Sequence, residues 1–262
     1  MSSSFLEDVD ARGIATLTLN RPDRHNAFDD HLIAELAAAL QKLGSNAAVR
    51  AVVLASNGRS FSAGADLEWM RRVATHSFDS NLADAAGLAG LLHTLDRLPK
   101  PTIALVQGAA YGGGVGLVAC CDVAIATEQA SFCLSEVKLG LTPATISPYV
   151  VNAIGPRWSR RLFQTAEILN AAQAQEIGLV QEVVAREDLT SRGEQILQAL
   201  LQGAPGAQAD AKDLVFLCEA RPVDATLGQD TGRRIAMRRA STEGREGISA
   251  FLNKRPASWR PG

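Results

Sequence analysis

The chain is poor in aromatic residues, at 5% of its 262 positions with only two tyrosines. Proteins that hold single-stranded nucleic acid interleave aromatics with basic residues, and no such stripe is present. Charge does not help that reading either. Lys and Arg number 26 against 28 Asp and Glu, a net charge of −2, so no broad positive field draws polyanions or anionic lipid. Two short basic clusters, Arg157 to Arg161 and Arg233 to Arg239, read as solvated helix faces. No apolar run reaches membrane-spanning length, and the start MSSSFLEDVDARG lacks a charged-then-apolar leader. The four cysteines show no CxxC spacing, and Cys120 and Cys121 sit side by side among apolar residues. Buried, reduced thiols without a metal are expected, in a cytoplasmic location.

What is present is an ordinary soluble composition, 47% apolar and 21% charged, long enough for one large α/β domain or a domain with an appendage. Short strands are expected at Ile14–Leu19, Arg50–Ala55, Thr102–Val106, Val123–Ala126 and near Ser131–Cys133. Helical spacing covers His31–Leu43, with Asp29 and Asp30 available as caps, and a stretch from the SFSAGADLEWM loop to about Leu98. Beyond Pro143 helices dominate: Pro148–Gln164, Ala171–Ile177, Leu189–Leu201, Ala207–Glu219 and one long run, Val223–Leu252. Only the apolar piece Leu179–Val184 interrupts them. The pattern predicts an α/β core over residues 1–198 and a helical region over 199–262.

Three consecutive glycines, Gly112 to Gly114, follow an apolar run and open a helix. A phosphate loop would place Lys and Ser or Thr after the last glycine, but Val115, Gly116 and Leu117 stand there. A dinucleotide fingerprint fits only loosely, with glycines at alternate positions and Glu136 as its acidic residue. Bare N–H groups at a helix start suit a different ligand, a carbonyl oxygen that turns negative during reaction. A second donor is then needed. Ser62-Ala63-Gly64-Ala65-Asp66 is another small-residue loop that runs into a helix. On spacing alone, two such loops read equally well as tight packing turns.

RSFSAGADLEWM, GAAYGGGVGLVACCDVAIA and ASFCLSEVKLGLTP together resemble the enoyl-CoA hydratase/isomerase (crotonase) family. The likeness runs from NRPDRHNAF through AAQAQEIGLVQEVV to EGISAFLNKRP, essentially the whole chain. It implies a spiral of ββα units with C-terminal helices that form homotrimers or hexamers. It also implies an acyl-CoA thioester substrate, with no cofactor beyond the CoA that the substrate carries. Ala65 and Gly113 match the two oxyanion-hole positions, and Glu136 in CLSEVKLG matches the catalytic Glu. Arg24, Ala63, Gly64, Asp66, Gly112 and Gly116 fall where relatives surround the thioester and CoA. Phe251 and Lys254 match a Phe and Lys that meet CoA bound to a neighbouring subunit; Asp122 matches a structural Asp.

The family pattern breaks in two places. Hydratases with two glutamates carry GGGxE, but Gly116 stands at the Glu position here. A segment that is usually glycine-rich reads ATISPYV, residues 144–150. With one carboxylate, Glu136 has to serve either hydration of a 2-enoyl-CoA or movement of a double bond. The joint motifs resemble hydratases acting on methylglutaconyl-CoA in leucine breakdown, or on a longer relative of it. Hydration is therefore the expected chemistry and isomerisation its alternative. A non-catalytic RNA-binding role is disfavoured by the charge balance and by the intact Glu136.

Overall fold

The computed structural model describes residues 4–219 and 221–260. It begins with β1 (Phe5–Val9), β2 (Ile14–Leu19) and α1 (Asp30–Ser45). Three turns of a spiral follow. The first is β3 (Ala51–Ser56), β4 (Ser60–Ser62), α2 (Leu67–Val73) and α3 (Phe78–Asp96). The second is β5 (Thr102–Val106), β6 (Ala109–Tyr111) and α4 (Gly113–Cys120). The third is β7 (Val123–Thr127), β8 (Ser131–Cys133) and α5 (Ser147–Thr165). In each turn the first strand joins one sheet and the second joins another, before helix returns the chain. β9 (Leu169–Asn170), α6 (Ala171–Glu176) and β10 (Glu182–Val184) come next. The six-stranded sheet runs β1-β2-β3-β5-β7-β10, and the four-stranded sheet runs β4-β6-β8-β9. The expected spiral of ββα units is therefore present, although no sequence repeat announces it.

Strand alternation divides the core. In β3, Val52 and Leu54 face one cluster with Leu17, Phe28, Phe61 and Phe132. Ala51 and Val53 face a second cluster with Ile14, Ile103 and Ile125. Helix α7 (Leu189–Leu201) closes this second layer through Leu189, Leu197 and Leu201. The expected boundary at 198/199 thus falls inside one helix whose two ends share a core. The helical region proper starts at α8 (Pro205–Glu219). The long run Val223–Leu252 is two helices, α9 (Ala225–Ala240) and α10 (Thr242–Leu252). Ser241 breaks it, its hydroxyl accepting from Gly244 N at 3.0 Å. Likewise α5 is interrupted at Gly155, where φ is 74°, and the SFSAGADLEWM-to-Leu98 stretch divides before Ser77, which caps α3. Arg50 ties the tail down, donating to the carbonyls of Gly203 and Trp259, each at 2.8 Å. Cys120, Cys121 and Cys133 are buried as expected, while Cys218 is exposed. Burial pushes the Cys121 thiol up to about 12. Among the described residues no helix is long and apolar enough to cross a membrane.

The NRPDRHNAF segment is held by one buried amide. Asn26 is 0% exposed with φ at +53°. Its Oδ1 accepts from Arg21 N at 2.8 Å. Its Nδ2 donates to the carbonyls of Asn57 and Ser60, each at 2.9 Å. Asn26→Ala leaves Arg21 N and Asn57 O without this partner, while Ser60 O keeps Ser56 Oγ and Gln107 Nε2, and alanine tolerates that backbone region less well than asparagine does. The expected cost is about 3 kcal/mol in urea unfolding; a loss below about 0.5 kcal/mol would mean that the loop is not held this way.

Candidate active site

Both small-residue loops end with a free N–H. Phe28 donates to Gly64 O and accepts from Asp66 N, each at 2.7 Å, forming a parallel bridge opposite Ala65. In such a bridge the middle residue's N–H faces away from its partner. Among the described residues the Ala65 N–H makes no hydrogen bond. Gly113 opens α4, so its N–H has no carbonyl one turn back to bond, and it too is unbonded among them. The turn before it needs glycine, since Gly112 has φ 49° and ψ −117°.

These loops meet the predicted carboxylate. A Cβ built on Gly112 would lie 3.2 Å from Glu136 Oε1 and 3.9 Å from Gly64 Cα. One on Gly64 would lie 3.3 Å from Tyr111 O. Gly112 N donates to Cys133 O at 2.9 Å, which ties the glycine turn to the end of β8. Glu136 follows at the head of a 3₁₀ turn, Glu136–Leu139, that Gly140 ends with φ 73°. Its Oε2 is buried and makes no hydrogen bond among the described residues. Burial holds the carboxyl above the ordinary carboxylate range, offset in part by the residue's own amide. A carboxyl shifted in that direction holds a proton more readily than an ordinary one, which suits it to proton exchange.

The two departures from the family pattern touch each other. Gly116 lies one turn beyond Gly112, the residue that precedes α4. A Cβ on Gly116 would fall 2.5 Å from Ile146 Cγ2 and 3.3 Å from Leu92 Cδ2. Ile146 belongs to the ATISPYV segment and is 1% exposed. Where a second carboxylate would stand, the chain packs aliphatic carbon. Ile146 is β-branched and enclosed, so it has little room to yield. Gly116→Glu is expected to cost about 3 kcal/mol through overpacking and a buried charge. A chemical unfolding midpoint equal to that of the native chain would show the site to be roomier than this.

A cleft of about 520 Å³ is lined by Arg24, Ala63, Ala65, Asp66, Glu68 and Arg71, among others. Asp66 caps α2, accepting from Glu68 N at 2.8 Å and Trp69 N at 3.2 Å. Arg21 and Arg24 donate to its other oxygen, each at 3.1 Å. Burial opposes that charge, but the Trp69 amide, the Arg24 guanidinium and the Glu68 amide outweigh it and hold the carboxyl low. The Asp66 side chain is thus spent on shaping the loop. The structure brings together Glu136, Gly112, Gly113 and Gly64, and along the cleft Arg24, Ala63, Ala65 and Asp66. Phe251, 83% exposed near the end of α10, and Lys254, in the left-handed region just after it, do not line this cleft within one chain. Asp122 is structural as expected: its Oδ2 accepts from Thr102 N and Oγ1 at 2.8 and 2.9 Å, and from Lys212 Nζ at 3.0 Å. Ile146 and Leu92 escaped sequence reasoning, since neither carries a polar group that would mark it.

The spiral of ββα turns thus places two N–H groups that are unbonded among the described residues close to a buried carboxylate. The chain belongs to the enoyl-CoA hydratase/isomerase family, whose model matches residues 10–261. A crystal structure of an enoyl-CoA hydratase from Shewanella pealeana superposes with a TM-score of 0.95 at 45% identity, covering 98% of this chain and 96% of that one. A putative enoyl-CoA hydratase of Thermus thermophilus is 32% identical, over 95% of this chain and 98% of that one. The 2,3-dehydroadipyl-CoA hydratase of Escherichia coli is also 32% identical, over 94% and 95% respectively.

Proposed function

We propose that this enzyme adds water across the double bond of a 2-enoyl-CoA, with Glu136 as its one catalytic carboxylate. Its thioester oxygen receives the N–H groups of Ala65 and Gly113. As electron density moves from the double bond into that oxygen, the two donors hold the enolate. Water, oriented by Glu136, gives its oxygen to the β-carbon and a proton to the carboxylate. The carboxylic acid then returns a proton to the α-carbon, so the net change is H and OH added across the bond. What carries the reading is the Glu136 carboxylate, its charge disfavoured by burial and its Oε2 unpartnered. Turnover of a panel of enoyl-CoA esters, with product identification, tests it.

The substrate we infer is a glutaconyl-type thioester, methylglutaconyl-CoA or a longer relative, as in leucine degradation. Support comes from the joint motifs and from a relative named for a dicarboxylic enoyl-CoA. Isomerisation is the second reading, and the aliphatic packing at Gly116 favours it, since no second carboxylate is there to hold water. The same Glu136 would then carry a proton between the α- and γ-carbons.

We further propose that the chain works as a homotrimer or hexamer with no other cofactor. Ile248, Phe251 and Leu252 leave apolar carbon uncovered at the end of α10, at 52%, 83% and 72% exposure. On this reading Phe251 and Lys254 serve CoA held by a neighbour. Sedimentation should give a trimer or larger assembly; a fully active monomer in dilute solution would contradict it.

A further inference from the structure

The two arginines near the end of α2 do different things. Arg72 is paired with Asp30 at the start of α1. Arg71 lines the cleft beside Ala65 and Asp66, and its side chain has no ion pair or hydrogen bond among the described residues. The other guanidinium in the cleft, Arg24, is already answered by Asp66 and Glu68, at 3.1 and 3.0 Å. Asp66 in turn is answered twice, by Arg21 and Arg24. Asp23, also on the cleft wall, would repel an anion from its own side. Among the described residues the cleft therefore presents one uncommitted cation, on the α2 side. A guanidinium offers a planar fork of donors that matches carboxylate and phosphate oxygens two at a time.

Building on the reading of this cleft as the thioester site, we propose that Arg71 receives an anionic group of the bound substrate. That group is either a distal carboxylate on the acyl chain or a phosphate of coenzyme A. The two share the same terminal-oxygen chemistry and differ in which part of the ligand carries it. Sequence proximity cannot separate Arg71 from Arg72; the pairing with Asp30 does.

Binding of three saturated thioesters, measured by calorimetry on native, Arg71→Gln and Arg72→Gln proteins, tests this without needing turnover. The three are glutaryl-CoA, butyryl-CoA and S-butyryl-pantetheine. If Arg71 meets an acyl carboxylate, Arg71→Gln weakens glutaryl-CoA by about fivefold or more and leaves butyryl-CoA within twofold. If it meets a CoA phosphate, both CoA esters weaken alike and the pantetheine ester does not. Arg72→Gln should change none of the three. Affinities that are unchanged in Arg71→Gln, or that fall equally for all three ligands, would overturn the assignment. If the native protein binds these esters but hydrates no enoyl-CoA, the hydratase reading fails while the role of Arg71 is still decided.

Discussion

Glu136→Gln is expected to lower turnover by roughly a thousandfold while leaving thioester binding within a few-fold. Glutamine keeps the shape of the side chain and fills the same space beside Gly112, but it cannot take a proton from water. The same substitution should change stability in a direction that depends on pH. Burial raises the Glu136 carboxyl, so the folded chain keeps its proton to higher pH than the unfolded chain does. Its stabilising contribution is complete below the unfolded value and is lost as pH rises through the folded one. Above that point the native protein holds a buried charge that the glutamine variant lacks. Glu136→Gln should therefore unfold at a higher temperature at neutral pH, and the gap should close in acid. Activity should move the opposite way, since the base must be ionised: kcat/KM falls on the acid side at a pH above the ordinary carboxylate range. A variant that loses activity and stability together at neutral pH would make Glu136 a structural residue instead.

Ala65→Pro is the second large effect. The Ala65 N–H is bonded to nothing among the described residues, so removing it costs them no hydrogen bond. The preceding residue is Gly64, whose φ is already +88°, which leaves that backbone free of the side-chain clash that restricts other residues before proline. If this N–H is one of two donors on the thioester oxygen, its loss lowers kcat by roughly a hundred- to a thousandfold. The folded structure should survive, with an unfolding temperature close to that of the native chain. A variant that is folded and retains most of its kcat would remove Ala65 from the oxyanion site. Gly113 gives a less clean test, because a side chain there would meet the Phe28 ring at 2.7 Å.

Much of this was legible in the residues. The strands Ile14–Leu19, Thr102–Val106 and Ser131–Cys133 lie where alternation or apolar runs place them. The glycine turn and the AGAD loop open helices as read. What escaped has physical causes. β4, β6 and β9 span three, three and two residues, too few for any period to register, so of the second sheet only β8 was legible. The spiral is a repeat of geometry and not of sequence, so it could enter only through resemblance. The breaks at Ser241 and Gly155 follow ordinary capping and glycine chemistry, yet helical spacing on both sides masked them. The 198/199 division falls inside α7, which buries residues at both ends against the sheet. At the site, Gly116 stood out as an absence, but the residue that fills the space, Ile146, lies 30 positions away and becomes a neighbour only through the fold. Phe251 and Lys254, proposed to meet CoA held by a neighbouring subunit, do not line the cleft of a single chain.

The measurement that bears most directly on the function is the fate of solvent oxygen. A hydratase places water oxygen at the β-carbon, whereas an isomerase relocates only hydrogen. With 3-methylglutaconyl-CoA, or another 2-enoyl-CoA that the protein accepts, in oxygen-labelled water, label is expected at the β-carbon of the product. Glu136→Gln should suppress it. If no 2-enoyl-CoA takes up label while a 3-enoyl-CoA is converted to its 2-enoyl isomer, Glu136 shuttles a proton between carbons and the enzyme is an isomerase.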